Sequence, residues 1–232
     1  MIKLYSFGAS MGVMDPSPFV VKVDAFLRIS GLPYETFPNF NNIKKSPKGK
    51  LPFIEDDDHK IADSSFIIDY LTKKYQLSLD NFLTAEQKAV SHLMTKSLDE
   101  NLYWCLVYSR WIEDDTWPLI SKTFFGELPW PLKLFLPNLI RKGVKKNLHG
   151  QGIGRHSKAQ ILEITKQSFS ALSTLLAEQA YFFGDQPCSF DATVYASLCE
   201  FISVDFDNDF NRLAKGYDNL VQFCQRIEKN YY

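Results

Sequence analysis

Two hydroxyl side chains lie where the sequence predicts helices to begin. Ser17 precedes Pro18 at the start of one apolar periodic run, and Ser64 follows Asp63 at the start of another. A helix N-terminus presents free amides and the positive end of the helix dipole, which suit an anion such as a carboxylate. Serine and aspartate are also favoured helix caps anywhere. Capping and anion binding therefore both stay open for these residues.

The hairpin before Asp63 contains a proline in an unusual place. The stretch 49–62, GKLPFIEDDDHKIA, reads as two short strands around an acidic turn, with Pro52 near the start of the first. Proline gives no backbone donor and belongs at strand edges or starts. The X-Pro bond is also the peptide bond in which the cis form is accommodated. A trans edge proline and a cis proline both fit this pattern.

The sequence offers little to redox or metal chemistry. Its four cysteines are Cys105, Cys188, Cys199 and Cys224. They are scattered, form no C-x-x-C pair and have no zinc-like spacing with the four histidines. No cysteine lies in the loop before Ser17, so a disulfide-exchange mechanism has no nucleophile there. We predict free thiols in a reducing compartment, no metal and no thiol oxidoreductase activity.

The elements that position these residues divide the chain into two parts. A strand at 2–8, a helix opening at Ser17, a strand at 33–37, the hairpin and a further helix predict a mixed α/β unit. A polar loop is predicted between the second strand and Gly49. Almost everything after this unit reads as helix. We predict an α/β domain at 1–77, a linker at 78–84 and a helical domain at 85–232.

Within the helical part the pattern predicts one long helix from about Thr84 to Glu113. Three further helices follow, from about His156 to Gln179, from Ser189 onward, and from about Tyr217 to Lys229. The stretch 118–150 is predicted to be an irregular, proline-marked apolar segment.

The segment 118–158 has an unusual charge. It holds eight Lys or Arg and one acid, Glu127, among bulky apolar residues. A basic apolar segment can lie on a membrane surface or accept a partner. It can equally fold over a cleft.

Composition bounds the function class. The chain has 232 residues, a net charge of −1, 45% hydrophobic and 23% charged residues, as in ordinary globular proteins. With this net charge, the chain has no overall positive potential that would attract nucleic acid. The N-terminus lacks a signal region, no run is long enough to cross a bilayer, and no apolar tail follows Tyr232. We expect a cytoplasmic protein without a nucleic-acid partner or a transmembrane segment.

Three motifs in order resemble the glutathione transferase superfamily. Residues 46–52, SPKGKLP, are similar to its N-P-x-G-K-V-P loop, and Asp63–Ser64 to its acid-serine pair. Residues 183–191 are similar to its G-D-x-P-(S/T)-x-x-D element, whose last acid, Asp191, would cap a buried helix. A narrower resemblance is to the failed-axon-connections branch, which is related to the metaxins. It rests on the stretches SPFVVKVDAFLRISGLPYE and QGIGRHS. The resemblance implies a thioredoxin-like α/β N-terminal domain plus an all-α C-terminal domain.

Glutathione is the co-substrate that this resemblance implies. A cis bond between Leu51 and Pro52 would expose the Leu51 backbone to the cysteinyl part of glutathione, as an added strand does. Ser64 and Asp63 would hold the γ-glutamyl end, and Lys50 would meet the glycyl carboxylate.

Ser17-Pro18-Phe19 has the form of the serine motif that stabilises the thiolate in plant tau-type enzymes. A hydroxyl donor at a helix N-terminus would favour the anion of a thiol whose pKa is otherwise about 8.5. The fallback hydroxyls in the same region are Tyr5, Ser6 and Ser10.

The family's long helix implies a pocket for a hydrophobic electrophile lined by Tyr103, Tyr108 and Trp111. Packing between the domains is the alternative, because a periodic aromatic stripe is usually core; Trp104 is assigned to packing, and Tyr108 stays open between the two roles. The alternative function is a non-catalytic interaction or scaffold protein of the metaxin type; some relatives in that branch are scaffolds for protein import into mitochondria. A homodimer is usual in the superfamily, although nothing in this sequence demands one.

Overall fold

A four-stranded sheet forms the centre of the N-terminal part. The computed structural model describes all 232 residues, with β1 at Ile2–Ser6, β2 at Tyr34–Pro38, β3 at Phe53–Asp56 and β4 at His59–Ala62. The strand order is β2-β1-β3-β4. β1 and β2 are parallel, whereas β3 is antiparallel to both of its neighbours. The predicted mixed α/β unit is confirmed.

Three helices accompany the sheet: α1 (Pro18–Ile29), α2 (Asn42–Lys45) and α3 (Ser64–Lys74). The prediction of a polar loop before Gly49 was wrong in part, because this segment contains the single helical turn α2. The Asn42 side chain explains this turn, since it is buried and donates to the carbonyl oxygens of Ser6 and Phe37.

The long helix predicted after residue 84 is present in three sections. α4 (Ala85–Ser97) begins with a capping box between Thr84 and Gln87. A π-helical turn at Leu98–Leu102 follows and leads directly into α5 (Tyr103–Trp111). Such π turns are rare and frequently occur at functional sites.

The segment after α5 was predicted to be irregular, and this prediction was wrong. It forms α6 (Trp117–Phe125) and α7 (Leu132–Gln151). Pro118 lies in the first turn of α6 and Pro131 immediately precedes α7, positions where a missing amide hydrogen costs nothing. Within this segment, only Pro137 lies beyond the first turn of a helix. The prolines therefore mark helix starts rather than a break in helical structure.

Four helices complete the chain: α8 (Lys158–Leu176), α9 (Ser189–Ile202), α10 (Asp209–Lys215) and α11 (Asp218–Tyr231). Short α10 was not predicted; Asn208 caps it by accepting from two backbone amides. α9 is buried along almost its whole length and packs against α1. One hydrophobic core of 39 buried residues consequently runs through both parts of the chain.

Asp191 is a polar anchor within this core. It is fully buried, and its carboxylate accepts from the backbone amides of Phe182 and Cys188 at 2.9 and 2.8 Å. The connection before α9 is thereby tied to the first turn of that helix.

Replacing Asp191 with Ala should destabilise the fold, because two buried amides would lose their acceptor. We expect a loss of roughly 2–4 kcal/mol in the free energy of unfolding, measured by chemical denaturation. The exposed neighbour Asp185 is the matched control, and Asp185→Ala should change stability by less than about 0.5 kcal/mol. Equal effects of the two substitutions would contradict a structural role for Asp191.

Candidate active site

A cleft of about 500 Å³ separates the sheet side of the molecule from α5. Its walls come from the loop before α1, the loop before β3, the start of α3, the π turn, α5 and Phe124 of α6. All of the predicted site residues except Tyr108 line it: Ser17, Lys50, Leu51, Pro52, Asp63, Ser64, Tyr103 and Trp111. Residues from distant parts of the sequence thus meet at one place.

Ser17 occupies the N-cap position of α1, but its side chain makes no capping hydrogen bond. Its carbonyl oxygen accepts from the amides of Val20 and Val21, and this bonding begins the helix. The hydroxyl is therefore not used for capping, and the residue lines the cleft. Of the two roles that the sequence left open for this hydroxyl, the structure shows no capping bond, and ligand contact stays a prediction.

The fallback hydroxyls do not line the cleft. Tyr5 donates to Glu55 at 2.7 Å and stacks on Phe53. Burial, together with the Glu55 carboxylate, raises the pKa of Tyr5 to about 12. The hydroxyls of Ser6 and Ser10 are buried and have no hydrogen-bond partner.

Asp15 positions the Ser17 loop and was not singled out from the sequence. It is fully buried; one oxygen accepts from the amides of Phe7 and Gly8, and the other accepts from the amide of Ser17. Burial raises the pKa of Asp15 to about 7, with a smaller contribution from the charge of Glu200 and against the lowering effect of the three amides. Its position two residues before Ser17, in a proline-containing loop, was the available signal.

Arg110 supports the same loop from the other side. Its side chain is 5% exposed and lines the cleft. Nη1 donates to the carbonyl oxygen of Pro16 at 2.8 Å, and Nη2 donates to the backbone and carboxylate of Glu200. No local sequence pattern indicates that this charge is buried.

The loop before β3 offers a backbone edge to the cleft. The Leu51–Pro52 peptide bond is cis, and β3 begins at Phe53. Neither the amide nor the carbonyl group of Leu51 is hydrogen-bonded to another part of the backbone. A peptide-like ligand could pair with both groups.

The start of α3 lies beside this edge. One oxygen of Asp63 accepts from the amides of Ser65 and Phe66, so capping is the role that the structure shows for that oxygen. Ser64 is buried and lines the cleft, and its amide donates to no backbone acceptor. The free amide and the helix dipole make this corner suited to a carboxylate.

The cleft also has an aromatic end. Trp111 packs on Phe124, with ring centres 5.4 Å apart, and Phe124 in turn meets Phe7 of the sheet side. Tyr103 packs against Phe19, with ring centres 4.8 Å apart. α6 thus covers one end of the cleft through Phe124. The sequence predicted no role in the cleft for this residue beyond its place in the basic apolar segment 118–158.

Tyr108 corrects the predicted pocket. It does not line the cleft and instead faces Phe210 of α10, while Trp104, which was assigned to packing, lines the cleft. The reason is helical geometry: the residues of α5 that line the cleft occupy one side of the helix, and Tyr108 projects about 40° beyond Trp104, which lies at the edge of that side.

Charged groups of both signs lie along the polar walls. The π turn brings Asp99 and Glu100 to the cleft, and Asp99 is paired with buried Lys22 at 2.9 Å. Lys50 and Lys96 provide positive charge on the other walls. No group of three or more His, Cys, Asp or Glu side chains is arranged to hold a metal ion. None of the helices combines the length and the apolarity needed to span a bilayer.

Comparison with known proteins bears on this arrangement. The family model of the glutathione S-transferase N-terminal domain matches residues 18–116, and that of the C-terminal domain matches residues 165–227. An isoprene-epoxide–glutathione S-transferase of Rhodococcus sp. is 32% identical over 100% of this chain and 99% of its own length. The chain belongs to the glutathione S-transferase superfamily.

Other relatives of this glutathione S-transferase superfamily member lie in the metaxin-like branch. Failed axon connections of Drosophila melanogaster is 37% identical over 86% of the chain, which spans 50% of that protein's length. Human metaxin-2 is 32% identical over 90% of the chain and 80% of its own length. Among solved structures, a glutathione S-transferase of Ceriporiopsis subvermispora in complex with glutathione has a TM-score of 0.70 at 18% identity, covering 100% of this chain and 98% of that one. The predicted thioredoxin-like and all-α fold is confirmed.

The raised pKa of Asp15 predicts a specific dependence of stability on pH. Between about pH 4 and 7 the folded state holds a proton on Asp15 that the unfolded chain releases, so Asp15 stabilises the fold less as the pH rises. The unfolding free energy of the wild type minus that of Asp15→Asn should therefore fall by up to about 4 kcal/mol as the pH rises over this interval. Denaturant titrations at several pH values measure it, with the exposed Asp185→Asn as control; a difference that rises with pH would contradict the assignment.

Removing the Arg110 guanidinium should leave the carboxylate of Glu200 buried without its partner. We expect Arg110→Met to cost about 3–5 kcal/mol of unfolding free energy. Glu200→Gln in the same chain should restore part of that loss, so the double variant should cost less than the sum of the single variants. Chemical denaturation of the four proteins measures the coupling, and strictly additive losses would show that the two groups do not interact.

Proposed function

We propose that this protein binds glutathione in the cleft and transfers its thiolate to a hydrophobic electrophile, with Ser17 stabilising the thiolate. One observation carries this proposal: the Ser17 hydroxyl is not used as a helix cap and lies in the same cleft as the unpaired backbone of Leu51. Family membership supports glutathione as the thiol.

The walls of the cleft match the polar groups of glutathione. The unpaired Leu51 amide and carbonyl suit the cysteinyl backbone. The Ser64 corner at the start of α3 suits the γ-glutamyl carboxylate, and the second oxygen of exposed Asp63 suits the ammonium. Lys50 suits the glycyl carboxylate. This orientation directs the thiol towards the loop before α1.

The chemistry then needs one donor and one apolar pocket. Donation from the Ser17 hydroxyl lowers the pKa of the bound thiol from about 8.5, so that its proton leaves to solvent. The thiolate sulfur attacks an electrophilic carbon, forming a C–S bond while a leaving group departs with its electron pair or an epoxide C–O bond opens. The aromatic end around Trp111 and Phe124 would hold the electrophile. The name of the Rhodococcus relative makes a small epoxide one substrate to try.

A second candidate function is a non-catalytic interaction protein. The similarity to failed axon connections and to metaxin-2 supports it. The two candidates differ at Ser17, because only catalysis requires its hydroxyl at the thiol.

The discriminating variant is Ser17→Ala. We expect it to retain glutathione affinity within a few-fold while kcat/KM for conjugation of a chlorinated nitroarene or a small epoxide falls roughly 100-fold, because one donor to the reacting anion is lost. The pKa of the bound thiol, read from the pH dependence of thiolate absorbance, should rise. Ser64→Ala should weaken binding instead.

Ser10→Ala is the matched control, since Ser10 lies in the same loop but not in the cleft. It should leave both binding and conjugation unchanged. A wild-type protein that binds glutathione but conjugates neither electrophile would favour the interaction protein. A wild-type protein that does not bind glutathione would refute both the proposed catalysis and the proposed ligand.

A further inference from the structure

Large apolar side chains project from the N-terminal end of α7. Trp130 is 78% exposed, Leu134 62%, Leu139 61%, Phe135 52% and Leu132 40%. We refer to these five residues as the apolar tip. Exposed apolar residues are normal when scattered singly, but several within ten residues mark an interaction site.

Three lysines continue the exposed side of the same helix. Lys142, Lys145 and Lys146 are exposed, and none forms an ion pair within the chain. We refer to them as the lysine row. Arg141 does not belong to it, because its guanidinium donates to the carbonyl oxygens of Trp111 and Ile112 and pairs with Asp114.

Helical spacing sets the two features in sequence along α7. Leu132, Phe135, Leu139, Lys142 and Lys146 follow intervals of three and four residues, so they form one stripe on the helix. The stripe is apolar in its first half and basic in its second half. It extends over about 21 Å, at 1.5 Å per residue. The opposite side of α7 packs on the protein through Pro137 and Leu148.

The segment of chain that carries this stripe contains basic residues and no acidic ones. Residues 128–162 contain seven Lys or Arg and no Asp or Glu. Because the whole chain has a net charge of −1, the remaining residues carry a net charge of −8. Asp114, from the connection between α5 and α6, pairs with Arg141 and lies near Lys145, but the three exposed lysines outnumber it. The exposed side of α7 is therefore locally positive, and the ligand that complements it is anionic.

We propose that the apolar tip and the lysine row dock on an anionic phospholipid membrane surface. The tip would enter the headgroup–acyl boundary, where Trp is favoured, and the lysines would lie among phosphate and serine headgroups. Protein interfaces are enriched in Arg and depleted in Lys, whereas diffuse lipid charge attracts Lys equally well. The exclusive use of Lys for the unpaired cations of this stripe therefore favours lipid over an acidic protein. This inference does not depend on the proposed glutathione chemistry.

Co-sedimentation of the full chain with lipid vesicles tests the proposal. We expect binding to phosphatidylcholine vesicles in which about a third of the lipid is phosphatidylserine, and much weaker binding to phosphatidylcholine alone. The triple variant K142Q/K145Q/K146Q should bind on the order of 100-fold more weakly, given about a fivefold loss for each lysine. Raised salt should weaken the wild type and bring it towards this variant.

The matched control is K166Q/K215Q/K229Q, which removes the same charge from exposed positions on α8, α10 and α11. It should retain wild-type binding if position rather than net charge matters. Tryptophan emission supplies a second readout: vesicles should shift it to the blue, and Trp130→Phe should abolish that shift without abolishing sedimentation. F135S/L139S should weaken binding at low and at high salt.

Several results would overturn the proposal. These are absence of binding to the anionic vesicles, equal binding to both lipid mixtures, and equal losses in the lysine-row variant and its control. Self-association in lipid-free solution that F135S/L139S abolishes, with vesicle binding intact, would assign the tip to a second copy of the chain. Retention on immobilised polyglutamate without vesicle binding would assign the lysine row to an acidic protein.

Discussion

The buried guanidinium of Arg110 joins two walls of the cleft, α5 and the loop before α1, to the buried helix α9. It lies on α5, donates to the carbonyl oxygen of Pro16 before α1, and pairs with Glu200 on α9. A buried charge is tolerated only when it is paired and hydrogen-bonded, so these three segments must remain in contact for the fold to be stable. Pro16 lies between Asp15 and Ser17, and the same contact therefore fixes the place of the Ser17 hydroxyl.

The cleft exists because two units share one core. α1 belongs to the α/β unit by sequence, yet it packs against α9 of the helical unit. The sheet side supplies polar backbone groups at Leu51 and Ser64, and the helical side supplies the aromatic end at Trp111. Such a site suits a dipolar ligand next to an apolar one, as the proposed reaction between a peptide thiol and a hydrophobic electrophile requires.

Charge is distributed differently in the cleft and on the exposed side of α7. The cleft contains cations and acids in close proximity, and Asp99 is neutralised by Lys22. The exposed side of α7 contains only cations, with apolar residues at its end. The first arrangement suits a ligand with charges of both signs, whereas the second suits an extended anionic surface. The two surfaces are joined by α6, which reaches the cleft through Phe124 and leads into the tip.

Local sequence patterns determined most of the elements. The strands, the hairpin with Pro52, the start of α1 and the long helix after Thr84 all follow from turn residues, caps and periodicity, which act over a few residues. Family motifs were sufficient to bring Leu51 and Asp63–Ser64 together. α6 and α7 were missed because proline marks a helix start as readily as a break, and only the following packing distinguishes the two cases.

The tertiary structure decided which side chains are buried, paired or directed towards the cleft. Only the packed chain shows that the Ser17 hydroxyl is not used for capping, that Asp15 and Arg110 are buried beneath it, and that Trp104 rather than Tyr108 faces the cleft. Local sequence cannot show these points, because burial, charge pairing and the direction of a side chain on a broad helical stripe depend on residues far away in the chain. Glu200, which pairs with Arg110 90 residues before it, is the clearest example.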